Sequence, residues 1–466
     1  MRKKKEVSLS GRRHKNFSPH NHPIWHPCSQ MKDYESFPPL QISNAEGSYL
    51  YTQTGKPLID AISSWWCKPL GHRHPRLHAA LLSQSSRFEH VILANTTYDI
   101  IEKLSHALLT LNPPMYKVFY SGDGSSAIEI ALKMSLQYHA QTTAPHRRTQ
   151  FAYLKHAYHG ENLLSLSISD LNLYKNPFKK LCLENVCLPA HSLLTGRRDP
   201  QWNKPLTKDD TTWHAIYETL EQHKETLAGI IIEPIVQGAG GMKIHAPALI
   251  DNLRTWSRQY NIHIIADEIM TGLGRTGAPL AMHHSQSTSD ITVLMKGLSA
   301  GYLPFSAILT TKEIYDAFYD DFETHKAFIH SNTYSGNALG AAVALEALSI
   351  YKEQDWFNQV AANEMTLTSI LSRVAKKTGV LKEVRGIGWI AAAELRFTPH
   401  PTQKSSLPRP ALAVFKECAK LGLFIRPLGN TLYLLPPFNI SSKTLQTLEA
   451  ILTQALLNLK NDYPLE

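Results

Sequence analysis

The chain is poor in the features that mark several protein classes. Its five cysteines, at 28, 67, 182, 187 and 418, are odd in number and contain no C-x-x-C pair. That excludes a disulfide framework and a structural zinc site of the usual spacing, and reduced thiols are expected. No apolar run approaches the roughly 20 residues that span a bilayer. The basic start runs into Ser, Gly, His and Asn rather than a leader's apolar core, so a cytoplasmic protein without membrane contact is expected. Internal repeats and low-complexity tracts are also missing. Charge is one-sided only at the start, where Arg2, Lys3, Lys4, Lys5, Arg12, Arg13 and Lys15 against Glu6 supply most of the formal +9. Residues 1–20 therefore read as a solvated, disordered basic terminus, and the balanced remainder gives no ground for a nucleic-acid partner. Histidines are plentiful, yet neither His72 and His74 nor His283 and His284 have a third ligand at metal spacing, so no metal is expected.

What is present is the pattern of an α/β enzyme. Apolar runs alternate with amphipathic stretches through the middle of the chain, as in β-α units around a mostly parallel sheet. Tyr116 to Tyr120 reads as a strand, the loop SGDGSS follows, and Ala127, Ile128, Ala131, Leu132, Met134 and Tyr138 then fall at helical spacings. The β-branched runs 229–236, 262–269 and 291–295 read as strands covered on both faces. A hairpin signal lies near residues 45–63, and helical periodicity sets in from about 345. The expected division is an N-terminal segment of a small domain over 21–75, a large domain over 76–335, and a C-terminal α+β part of the small domain over 336–466.

The acidic residues Glu233, Asp267 and Glu268 end two of these runs, where parallel sheets place their ligands. Lys296 follows the third. A lysine behind a buried strand either reaches water or uses its amine, because desolvation lowers its pKa and suits it to attack a carbonyl. Three other stretches supply what a pyridoxal phosphate site needs. Gly124 and Ser125 offer small residues and a helix N-terminus to a phosphate. Asp267 offers an anion to hold a proton on the pyridine nitrogen, or is a turn aspartate. Tyr158 in HAYHG offers a ring to stack on the cofactor, or is a core tyrosine.

The set SGDGSSAIEIALKM, AYHGE, IIEPIVQGAGGM, ADEIMTGLGRTG, MKGLSAGYLPFSAILTT and HSNTYSGN resembles the class III aminotransferases of fold type I. IWHP, SSWWCKPLGHRHP and IRPLGNTLYLLPP extend the resemblance to the branch that serves biotin synthesis. It implies a homodimer of pyridoxal phosphate enzymes converting 8-amino-7-oxononanoate to 7,8-diaminononanoate, with S-adenosylmethionine, or lysine in some relatives, as donor. It implies Lys296 as Schiff-base lysine and proton shuttle, and Asp267, Gly124, Ser125 and Tyr158 in the roles above. It adds Thr333, with Asn332 beside it, at the phosphate across the dimer interface. It further implies that Trp65, Arg426, Tyr433, Ser331 and Cys28 surround the substrate, with Arg275 in GLGRTG either joining them or serving as a structural ion-pair partner.

Four positions depart from the family pattern. Cys28 stands where a tyrosine is usual, Glu161 where an aspartate is usual, and Ser331–Asn332 replace Gly-Pro ahead of Thr333. Loss of a phenol at 28 removes a stacking face and a hydrogen bond from the donor side. The rival readings are another class III ω-aminotransferase and a silent cofactor-binding protein.

Overall fold

The computed structural model describes residues 20, 22–143, 145, 147–207, 209–398 and 409–465. Of the expected basic terminus, 1–20, all but His20 lies outside the described residues.

Seven strands form the central sheet: β4 (Lys117–Ser121), β5 (Gln150–Tyr153), β6 (Val186–Cys187), β7 (Leu227–Ile232), β10 (His263–Asp267), β11 (Ile291–Leu294) and β12 (Ser306–Thr310). Their order is β4-β12-β11-β10-β7-β5-β6, and β12 pairs antiparallel with both its neighbours while the remaining pairs are parallel. All residues of β7, β10, β11 and β12 are buried, which explains their unbroken apolar runs. Alternation along the strands sorts the side chains by face. Ile231, Ile265 and Val293 pack with Ile128, Ala131 and Leu132 of the helix Gly124–Thr142. Ile230, Ile232 and Ile264 turn the other way, onto Leu249, Leu253 and Trp256 of the helix Pro247–Gln259.

The run 229–236 is not one strand. β7 ends at Ile232, and after Pro234, which has no N–H to give a ladder, Ile235 turns to φ +68°. The chain then forms a small hairpin of β8 (Val236–Gln237) and β9 (Lys243–Ile244). Helix also begins earlier than the periodicity suggests, at Ala338 rather than near 345, where the side chain of Asn337 accepts from the Gly340 N–H.

The first strands, β1 (Ile42–Glu46), β2 (Tyr49–Thr52) and β3 (Pro57–Asp60), form an antiparallel meander. Its free edge is completed by β15 (Leu423–Phe424), which runs parallel to β3. A three-stranded antiparallel sheet of β13 (Leu381–Ile387), β14 (Ile390–Leu395) and β16 (Thr431–Leu434) lies nearby in sequence, with β14 central. Among the described residues no helix is long and apolar enough to cross a membrane, no group of three or more His, Cys, Asp and Glu side chains is placed to hold a metal ion, and all five cysteines are unpaired.

Candidate active site

The expected residues gather where β10 and β11 end and the helix Gly124–Thr142 begins. Lys296 follows β11 at φ +44°, and its Nζ lies 4.3 Å from the centroid of the Trp66 ring. Burial lowers its pKa to about 8 against the partial support of Asp267, Cys67 and Glu233. The amine is therefore far closer to its neutral, nucleophilic form than an ordinary lysine.

That desolvation also costs stability, with a definite sign. The unfolded chain protonates this lysine near 10.5 and the folded chain near 8. The penalty is fully present below about 8 and fades as pH rises through about 10.5. In cofactor-free protein, Lys296→Met is expected to raise Tm by about 1–3 °C at pH 7. The gain over wild type should vanish in scans run above pH ~10.5.

Asp267 closes β10, 5% exposed. Its Oδ2 lies 2.8 Å from His159 Nδ1, and its Oδ1 accepts from the Ile269 N–H at 3.2 Å. His159 is itself buried, so the two side chains fix each other away from water. Glu233 and Glu268, which end apolar runs as Asp267 does, play different parts. Glu233 accepts from the N–H groups of Tyr158 and Gly238, and Glu268 from Ala281 N–H, Met282 N–H and the Thr271 hydroxyl. Burial raises both carboxyls to about 7. Each shapes a loop around the cleft.

At the helix start, Asp123 caps by accepting from the N–H and hydroxyl of Ser126. This leaves Gly124 and Ser125 at the positive end of a 19-residue helix. The loop carrying Tyr158 presses against that turn. The Glu161 N–H donates to Ser125 Oγ, and a Cβ on Gly160, at φ +126°, would lie 2.4 Å from the same oxygen. Only glycine allows this approach. Tyr158 donates its hydroxyl to Glu161, and burial, with Glu161 next, drives its pKa upward.

On the outer side of the cleft, the Arg426 guanidinium lies 4.8 Å from the Trp65 ring centroid and donates to the Cys28 carbonyl at 2.7 Å. Cys28 Sγ points to Glu161 at 3.9 Å, and burial raises its thiol pKa. Thus Cys28, Glu161, Tyr158, Arg426 and Trp65 converge. Ser331 and Thr333 are exposed, while Asn332 accepts from the Ser121 hydroxyl, at the end of β4, at 2.9 Å.

Two expected substrate residues are almost fully buried. Tyr433 is 1% exposed and accepts from Trp66 Nε1 at 3.0 Å. Arg275 is 2% exposed, donates to the Pro436 carbonyl and lies over Phe438, with no carboxylate beside it among the described residues. Burial lowers its pKa. The first supports an indole, and the second a backbone turn.

Sequence reasoning overlooked Trp66 as the ring over the lysine, and His159 as the partner of Asp267. His159 sits beside Tyr158 in AYHGE, and that adjacency was the available signal. Trp66 offered none, because the conformation of the turn decides which indole faces inward.

The family model for aminotransferase class-III matches residues 30–456. The chain belongs to the class III aminotransferases. The adenosylmethionine-8-amino-7-oxononanoate aminotransferase of Helicobacter pylori is 37% identical to it over 440 residues, 94% of this chain and 96% of the relative. The crystal structure of the like-named enzyme from Methanocaldococcus jannaschii matches with a TM-score of 0.83 at 29% identity, covering 94% of this chain and 97% of that one. An omega transaminase from Pseudomonas jessenii in complex with PMP gives 0.82 at 26% identity, covering 94% and 96%. The cofactor of class III aminotransferases is pyridoxal phosphate, and the residues present fit it. A depressed lysine amine, a buried carboxylate and a helix N-terminus kept narrow by Gly160 are gathered around one cleft.

Proposed function

We propose that this class III aminotransferase moves an amino group from a donor amine to 8-amino-7-oxononanoate, giving 7,8-diaminononanoate, and that S-adenosylmethionine is the donor. The observation that carries the reading is the pairing of two features in one cleft: the desolvated Lys296 amine against Trp66, and Arg426 laid over Trp65 at the outer side. The first suits amine chemistry on a carbonyl. The second suits recognition of the carboxylate that the keto acid carries. The 37% identity to the Helicobacter pylori enzyme supports the same substrate.

Pyridoxal phosphate, when bound, supplies a carbonyl carbon and an electron-withdrawing ring. Lys296 would hold it and, once freed, would take and return the proton at the substrate carbon. Asp267, fixed by His159, keeps a proton on the pyridine nitrogen. Gly124 and Ser125 bind the phosphate with backbone N–H groups and a hydroxyl, and Tyr158 packs on the ring. Trp65 and Arg426 orient the substrate, with Ser331, Cys28 and Glu161 bordering it. Tyr433 and Arg275 act on it through Trp66 and the Pro436 turn.

The proposed assembly is a cytoplasmic homodimer in which Thr333, with Asn332, completes the phosphate site of the partner. Exposed Ile92, Ile329 and Tyr334, 64%, 87% and 65% accessible, support a protein-covered face around Thr333. The small domain is assigned to 21–75 and 336–466 and the large one to 76–335, in keeping with the β3–β15 pairing.

A donor panel tests the function. Purified protein is expected to consume 8-amino-7-oxononanoate with S-adenosylmethionine or with lysine, and failure with every amine excludes this substrate. In the same panel Cys28→Tyr should shift the donor KM by about tenfold while cofactor retention is unchanged.

A further inference from the structure

Residues Ser63, Ser64, Trp65 and Trp66 have φ of 50°, 44°, 76° and 74°, four consecutive left-handed residues with no glycine among them. L-residues do not keep such a turn unaided, so its hold comes from outside. That hold is Asp60, which is 0% exposed at the end of β3. Its Oδ1 accepts from the N–H groups of Ile62 at 3.3 Å and Ser64 at 3.0 Å. Its Oδ2 accepts from the Ser64 hydroxyl at 2.8 Å and lies 2.8 Å from His72 Nε2. The Ser63 hydroxyl adds a bond to the Leu435 carbonyl.

The turn decides where two indoles go. Trp65 reaches outward, under Arg426, and Trp66 inward, over Lys296 and onto Tyr433. In a right-handed turn the two Cβ atoms would leave the backbone in other directions and neither contact would form. We propose that Asp60, steadied by His72, is the positioning residue of the site, holding the left-handed turn that aims Trp65 at the substrate and Trp66 at the lysine. Both act from behind the turn, the Asp60 side chain being fully buried and that of His72 nearly so. This rests on the function proposed above for the identity of the substrate, though not for the geometry of the turn.

The test uses the holoenzyme with Asp60→Asn, His72→Leu and His72→Gln. Glutamine keeps an N–H donor for Asp60 and leucine does not. Two quantities are read: KM and kcat for the keto acid, and the circular dichroism of the bound cofactor's visible band without substrate. Asp60→Asn and His72→Leu are expected to raise KM by about tenfold or more with a much smaller change in kcat, and to weaken the dichroism. His72→Gln should restore both. Wild-type KM and dichroism in Asp60→Asn and His72→Leu would overturn the proposal, as would a His72→Gln variant as impaired as His72→Leu. Should Asp60→Asn fail to fold, the contrast between the two His72 variants decides the proposal by itself. Absence of keto-acid turnover in wild type would refute the substrate, while the dichroism series would still decide the clamp.

Discussion

Lys296→Ala is expected to lower turnover by about 10³-fold or more, because the same amine both holds the cofactor and moves the proton. The variant should still fold. Lys296 is a burdened group, with burial holding it far below an ordinary lysine, and alanine relieves that burden. Two measurements check the expectation. Steady-state turnover gives the loss, and mass analysis after borohydride reduction should find cofactor fixed to the Lys296 peptide of wild type and to no peptide of the variant. Full turnover in Lys296→Ala would remove this residue from the mechanism.

Asp267→Asn is expected to cost about 10²–10³-fold in kcat while leaving the cofactor bound. Asparagine has the volume of aspartate and can still meet His159, which lies 2.8 Å from the native carboxylate. It lacks the charge that keeps a proton on a ring nitrogen. The phosphate end, at Gly124 and Ser125, is untouched. Cofactor content by absorbance after gel filtration, together with kcat, separates the two effects. A variant that loses its cofactor along with its activity would show Asp267 to be an anchor rather than an electrostatic partner.

The parts of this molecule that were legible in the sequence are those set by local chemistry. β10 and β11 announce themselves because a strand buried on both faces must be apolar at every position. Lys296 and Asp267 could be picked out because a charged residue ending such a run is expensive unless it is used. The Gly-rich turn before the helix at Gly124 was equally plain. What escaped was decided at long range. Nothing in SSWW hints at a left-handed turn, since none of its residues favours one, and the hold comes from Asp60 and His72. The run 229–236 looked continuous because apolar content persists across Pro234, although the ladder cannot. Nor does composition reveal that β12 runs against its neighbours, for an antiparallel strand buried on both faces has the same sequence as a parallel one. Tyr433 and Arg275 show what position in a motif leaves open. Both fit the family pattern, and only the packing shows their partners, Trp66 for the tyrosine and the Pro436 carbonyl and Phe438 for the arginine.

The bond from Arg426 to the Cys28 carbonyl joins residues 398 apart in the chain, and β15 reaches β3 from a similar distance. On the ribosome, at roughly 5–20 residues per second, the first partner waits on the order of tens of seconds for the second. Late in that interval the lysine, its carboxylate and the phosphate turn are all present in the nascent chain. Cys28 and Trp65 exist too, but the arginine that completes the substrate side does not. A chain interrupted before β15 would thus carry the reactive groups and part of the substrate wall without the arginine proposed to meet the substrate's carboxylate.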